Sequence, residues 1–156
     1  MPASEGRVAG LLVRPGKGAG TERRPEISLV AGGGPVGDHA TRPSRGVTLL
    51  SREAWSEAVA SCGAPDLPWE KRRANVLLEG LDLEGSPGRT LEVGECVLHV
   101  ESGCPPCDLM EKTQPGLRKA LEPGLRAGIC ARVVRGGTIR MGDPAVLRPG
   151  DSVEDS

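Results

Sequence analysis

The chain has 156 residues, with 20 Lys plus Arg against 21 Asp plus Glu and a formal net charge of −1. This length suits one domain, and the charge balance argues against a dedicated nucleic-acid binder, which carries a basic excess. Hydrophobic residues at 37% and charged residues at 26% fit a folded globular chain and not a disordered one. Tyr and Phe are absent and Trp occurs twice, so the core must be built from Leu, Val, Ile and Ala, and stacking platforms for single-stranded nucleic acid are missing.

No apolar run approaches the roughly 18–20 residues that span a bilayer. The stretch Val8–Val13 is short, interrupted by Gly10 and flanked by Glu5, Arg7 and Arg14, so it does not read as a signal peptide. The expectation is a cytoplasmic protein without membrane attachment. Cys62, Cys96, Cys104, Cys107 and Cys130 are an odd set, and free thiols in a reducing compartment are expected.

Gly and Pro punctuate the chain every few residues, which favours short strands over long helices. Val8–Val13 reads as the first strand, Ile27–Ala31 as the second and Val47–Leu50 as the third. Ser51 has the chemistry of a helix N-cap, with Glu53 in the first turn where the macrodipole favours a negative charge. Ala54, Trp55, Ala58 and Val59 fall at helical spacing, predicting a short helix over Ser51–Ser61 with Trp55 in the core. Arg73–Glu79 reads as a strand covered on both faces, because Val76, Leu77 and Leu78 are consecutive. Leu91–Val93 and Cys96–Val100 form a pair turning at Gly94-Glu95, with Cys96, Leu98 and Val100 on one face and Val97 and His99 on the other. Helical turns follow, one opened by Pro105-Pro106 and one over Pro115–Leu121. Ile129–Arg135, Thr138–Met141 and Pro144–Leu147 close the set as strands. About eight short strands with two or three small inserted helices predict a mainly β single domain. A closed barrel is the simplest arrangement, since closure removes exposed edges. The domain is expected over residues 7–148, with residues 149–156 as an acidic frayed tail.

Arginine dominates the basic residues, and its fork suits bidentate recognition of phosphate or carboxylate. Residues 126–141 carry Arg126, Arg132, Arg135 and Arg140 with no acid. The segment Cys104-Pro105-Pro106-Cys107 admits three readings. A structural zinc site needs four ligands, and only one CxxC pair is present. A thioredoxin-like dithiol needs a βαβ framework, and the surrounding elements are successive strands. The third reading is a single functional thiol, Cys107, in the first turn of a helix, where backbone N–H groups favour a thiolate that binds a soft metal or carries a persulfide. The stretch from Ala31 to His39 could approach a ligand closely, but it lacks the Gly-Lys-Ser/Thr of a phosphate-binding loop and does not fit a dinucleotide fingerprint.

Four segments in order resemble the MOSC domain family, and within it the small stand-alone bacterial type. These are Arg14-Pro15-Gly16-Lys17-Gly18 with Gly34-Pro35-Val36-Gly37-Asp38-His39, then residues 72–83 around Asn75, then residues 104–111, then residues 128–143. The resemblance implies a MOSC-like β-barrel. It also implies a hallmark cysteine in Pro-Cys context, which is Cys107 here and not Cys104. Its cofactor would be the molybdenum cofactor (molybdopterin), with Cys107 as metal ligand or persulfide carrier. The activity so implied is reduction of N-hydroxylated compounds by a molybdenum-dependent oxidoreductase, or sulfur transfer. The alternative is a non-catalytic module delivering sulfur or cofactor to a partner enzyme. The chain has no room for a pyridoxal-phosphate-dependent desulfurase, so sulfur would come from a separate desulfurase, and electrons from a reductase partner. On this reading Asn75 hydrogen-bonds the pterin or its phosphate, Arg45, Arg73 and Arg132 clamp the anion together with Lys17, and Asp38 and His39 line the mouth. The chain departs from close relatives at Arg73-Ala74-Asn75, where only the asparagine of Gly-Glu-Asn is kept, and at Arg126-Ala127-Gly128.

Overall fold

The computed structural model describes residues 4–16, 20–38, 46–104 and 108–149. Strands β1 (Ser4–Val13), β4 (Val47–Ser51), β5 (Val76–Glu79), β6 (Thr90–Val93), β7 (Cys96–Gly103), β8 (Ile129–Arg135) and β10 (Pro144–Leu147) follow one another round a closed ring in the order β10-β6-β7-β8-β4-β5-β1. The ring closes where Ser4–Arg7 pairs with Pro144–Leu147. Strict antiparallel alternation cannot close an odd-numbered ring, so at least one neighbouring pair must run parallel. That pair is β4–β5. A parallel pair needs a crossover, supplied here by helix α1 (Arg52–Ser61) and a 3₁₀ turn at Trp69–Arg72. β2 (Glu22–Arg23) adds a short edge to β1, and β3 (Glu26–Leu29) and β9 (Gly137–Arg140) make a separate antiparallel ribbon.

Two apolar clusters follow from this geometry. Inside the barrel lie alternate residues such as Leu11, Leu49, Leu78, Leu91, Leu98 and Ile129. Outside, Leu50 and Leu77 face α1, α2 (Asp108–Thr113) and α3 (Leu117–Ala120) through Trp55, Val59, Met110 and Leu117. β4 is therefore buried along its whole length, as is β5 up to Glu79, and both carry unbroken apolar runs. β7 has only its inner face covered and alternates, with Cys96, Leu98 and Val100 inside. An all-aliphatic interior suits a barrel of this size, where side chains must fill the lumen. Trp55 is a core residue as expected, and its indole N–H donates to the Leu67 carbonyl at 3.0 Å. Ser51 caps α1, its hydroxyl accepting from the Ala54 N–H at 3.2 Å.

Three expectations are corrected. The strand expected from Arg73 begins at Val76. Arg73 caps the 3₁₀ turn with φ 65°, in the left-handed region, and breaks the extended run. The strands expected at Ile27–Ala31 and Thr138–Met141 exist with shifted ends, but they pair with each other outside the barrel. Cys104 and Cys130 are not free: they form a disulfide with Cα atoms 5.9 Å apart. Their 26-residue separation vanishes because β7 and β8 are neighbours, with Gly103 opposite Ile129 and the Cys104 N–H bonded to the Gly128 carbonyl. Cys62 and Cys96 are free thiols, and Cys107 lies outside the described residues.

Cys96 sits in the β6–β7 corner, opposite Val93 and 1% exposed. Burial, helped by the Glu95 charge, pushes its thiol from the ordinary 9.0 up to about 11. The unfolded chain therefore ionises first, so the protein is unaffected below pH 9.0 and loses stability as pH rises from there to about 11. Urea midpoints measured across that window should fall in the wild type and fall less in Cys96→Ala. Parallel slopes would show that Cys96 is not the group responsible.

Candidate functional site: an arginine-lined cleft at one end of the barrel

β1 and β7 end, and β5 and β8 begin, at the same level of the barrel. Arg14, Thr48, Leu49, Arg72, Arg73, Ala74, Cys104 and Ala127 line a cleft there. Its volume is about 30 Å³, comparable to the share of liquid volume that one water occupies. It can seat a single oxygen of a phosphate or oxyanion. Three of its lining residues are arginines, and among the described residues no Asp or Glu lines it.

Arg14 is held by Asp38 through three bonds. Its backbone N–H donates to Oδ1 at 2.7 Å, Nε to Oδ1 at 3.0 Å and Nη2 to Oδ2 at 2.7 Å. The Asp38 carboxylate is fully sequestered, and the Arg14 side chain is 11% exposed. Bidentate pairing of this kind fixes the guanidinium plane. Arg14 Nη2 also reaches Asn75 Oδ1 at 3.3 Å. That oxygen accepts in addition from the Thr48 N–H at 3.2 Å and hydroxyl at 3.0 Å, and Asn75 Nδ2 donates to the Leu12 carbonyl at 3.3 Å. Asn75 thus ties β1 and β4 together just before β5 begins. Arg72 is anchored by Nε donating to the Ala127 carbonyl at 2.7 Å.

The structure sorts the expected site residues into three groups. Arg73 lines the cleft. Asp38 and Asn75 are brought beside it, but both are buried and their side chains are committed to Arg14 and Thr48, so each acts on the cleft through those residues. Arg132 is not brought there: it projects from the outer wall of β8, across from His99, with Nε 3.4 Å from Glu101. His99 sits 3.6 Å from the same carboxylate, the solvated arrangement its alternation predicts. Cys107, Lys17, His39 and Arg45 lie outside the described residues. Sequence reasoning missed Arg14 and Arg72 as cleft residues. Both stood inside the family-like segments, but nothing local distinguishes them from surface arginines. Asp38, 24 residues away from Arg14, could not be matched to it without the fold.

A larger open cleft of about 610 Å³ lies over the start of α1, lined by Glu53, Glu57, Asp82, Glu84 and Arg126 among others. Its carboxylates repel an anionic ligand. The smaller cleft has the opposite electrostatics and neighbours the CxxC segment. Among the described residues no group of three metal-ligating side chains converges, and the sulfurs of Cys104 and Cys130 bond each other.

The fold and this cleft define a small aliphatic barrel with a cationic end. The model of the MOSC domain matches residues 36–146, and the chain belongs to that family. β1, which closes the barrel, lies before the matched segment. Among solved structures, the YuaD protein from Bacillus subtilis superposes with a TM-score of 0.80 at 22% identity, over 96% of this chain and 98% of that one. YiiM from Escherichia coli gives 0.70 at 18%, over 93% and 71%, and YiiM from Geobacillus stearothermophilus 0.68 at 18%, over 95% and 76%. At these identities the likeness establishes the barrel and nothing finer. No curated protein matches the chain.

Proposed function

We propose that this MOSC-domain protein binds the molybdenum cofactor, with Cys107 as the metal ligand or as a persulfide carrier. The observation that carries the reading is the convergence of Arg14, Arg72 and Arg73 on a cleft whose wall includes Cys104, three residues before Cys107. The donor set fits the group: guanidiniums suit its phosphate, and a thiolate suits a soft metal centre. On the same reading Lys17 and Arg45 contact the anion and His39 lines the mouth.

Bound here, the cofactor would supply two-electron redox chemistry of the kind that reduces N-hydroxylated compounds. The chain's own part is to bind and orient. Arg73 and Arg72 present N–H donors to an anionic oxygen, and the Asp38–Arg14–Asn75–Thr48 network holds the third guanidinium fixed. Preorganised donors of this sort cost no rearrangement when charge arrives. The second reading, a carrier that hands sulfur or cofactor to another enzyme, uses the same residues and needs a desulfurase as partner.

The test is to purify the protein from cells that make the cofactor and to measure molybdenum and pterin in wild type and Cys107→Ser. The ligand role predicts that metal content falls to background in the variant. Equal content in both removes that role. A persulfide on Cys107 without molybdenum favours the carrier. Turnover of an N-hydroxylated amine with a reductant marks the enzyme.

A further inference from the structure

The cysteine that lines the cleft is not the cysteine the family reading uses. Cys104 follows β7 directly, is 5% exposed, and shares the cleft wall with Arg14, Arg72 and Arg73. Its disulfide partner Cys130 lies one residue into β8 and is 6% exposed. The bond therefore ties the residue that leads into the 105–107 connection to the adjacent barrel strand. No helix of the described residues is long and apolar enough to cross a membrane. With Cys62 and Cys96 both carrying free thiols in the same chain, the bond is also selective.

We propose that Cys104 and Cys130 are a redox-active pair that controls the cleft: the disulfide is opened by a thiol reductant, which releases Cys104 into a cleft it shares with Arg14, Arg72 and Arg73. A reductant thiolate attacks the Sγ of Cys130, the S–S bond breaks, and Cys104 leaves as a thiolate. The arginines decide the direction of attack, because exchange is faster when the departing sulfur is the better stabilised anion. The reductant's second thiol, or a second reductant molecule, then attacks the reductant's own sulfur in the mixed disulfide, and Cys130 leaves as a thiolate. Two electrons pass to the protein, both cysteines end reduced, and the reductant ends as a disulfide. Oxidation reverses the sequence. In the oxidised form Cys104 is bonded to Cys130 of β8, and in the reduced form its thiolate stands beside Arg14, Arg72 and Arg73.

The proposal is independent of molybdenum, and its test needs no cofactor. Full-length oxidised protein is equilibrated natively in glutathione buffers of graded ratio, quenched by alkylation, and each cysteine is assigned by peptide mass. The expected result is a reversible two-electron transition of Cys104 and Cys130 together, while Cys62 and Cys96 remain thiols throughout. In the reduced protein, Cys104 should favour anionic iodoacetate over neutral iodoacetamide relative to Cys62. Arg73→Gln should lower the Cys104 iodoacetate rate by about five- to tenfold, the loss expected when a cation that favours the thiolate is removed. Because every cysteine is read separately in the reduced wild type, the result does not depend on a Cys130→Ser variant folding. A pair that opens only in urea is a static staple, and overturns the proposal. So does an oxidised product joining Cys104 to Cys107, or an iodoacetate rate indifferent to Arg73. Repeating the titration in Cys107→Ser separates this result from the metal reading: loss of molybdenum there with the transition intact supports both.

Discussion

Asp38→Ala should destabilise the folded protein by about 3–5 kcal/mol, the cost of leaving a buried charge without its partner. The Asp38 carboxylate has no solvent exposure, and the Arg14 guanidinium it neutralises is 11% exposed. Removing the carboxylate strands that guanidinium and also leaves the Arg14 backbone N–H without its acceptor. Asp38→Asn should cost less, because an amide oxygen still accepts from Arg14. The double variant Asp38→Ala, Arg14→Gln should be more stable than the sum of the single losses predicts, since removing both partners avoids the unpaired charge. Urea unfolding of the four proteins gives the coupling. A single-variant loss below about 1 kcal/mol would place the pair among solvated surface bridges and would remove the argument that Arg14 is rigidly presented to the cleft.

The second large effect is on binding. Arg72→Gln with Arg73→Gln should weaken the affinity for a pterin phosphate by about 100-fold or more. A hydrogen bond to a charged group contributes roughly 1.5–3 kcal/mol, and each 1.4 kcal/mol is about tenfold in affinity. Both side chains line the cleft, so each can contribute one such bond to a seated oxygen. Calorimetric titration with the pterin phosphate, and pterin content after expression in cofactor-producing cells, measure the change. Arg132→Gln serves as the comparison, since that side chain sits on the outer wall beside Glu101. Equal weakening in Arg132→Gln would mean that general surface charge, and not the cleft, attracts the ligand. Undiminished affinity in the double variant would place the anion elsewhere.

Much of the barrel was legible because its signals are local. The alternation of Cys96, Leu98 and Val100 marks a strand with one covered face. The unbroken Val76-Leu77-Leu78 marks a strand with two, and the structure supplies the second cover as α1, α2 and α3. Ser51 followed by Glu53 announces a helix start that the coordinates place at Arg52. Where the reading failed, the determinant was distant. Ile27 and Ile139 carry ordinary strand signals, but only their mutual pairing puts them on a ribbon outside the ring. Arg73 stands just before the apolar run Val76–Leu78 and reads as its extended start, and the crossover before β5 turns it left-handed.

The site divides along the same line. From sequence alone, the family resemblance points to Cys107, Asn75, Arg73, Arg45, Arg132, Lys17, Asp38 and His39 as one site. Composition and periodicity determined an aliphatic β-rich barrel, because burial of alternate apolar side chains follows from spacing along the chain. Tertiary structure alone decided that Asn75 and Asp38 brace the cleft through Arg14 instead of facing a ligand. It alone placed Arg132 on the outer wall, and it alone joined Cys104 to Cys130. Each of those outcomes depends on which strands become neighbours when the ring closes. A chain's local pattern says which face of a strand is covered, but not which strand lies beside it.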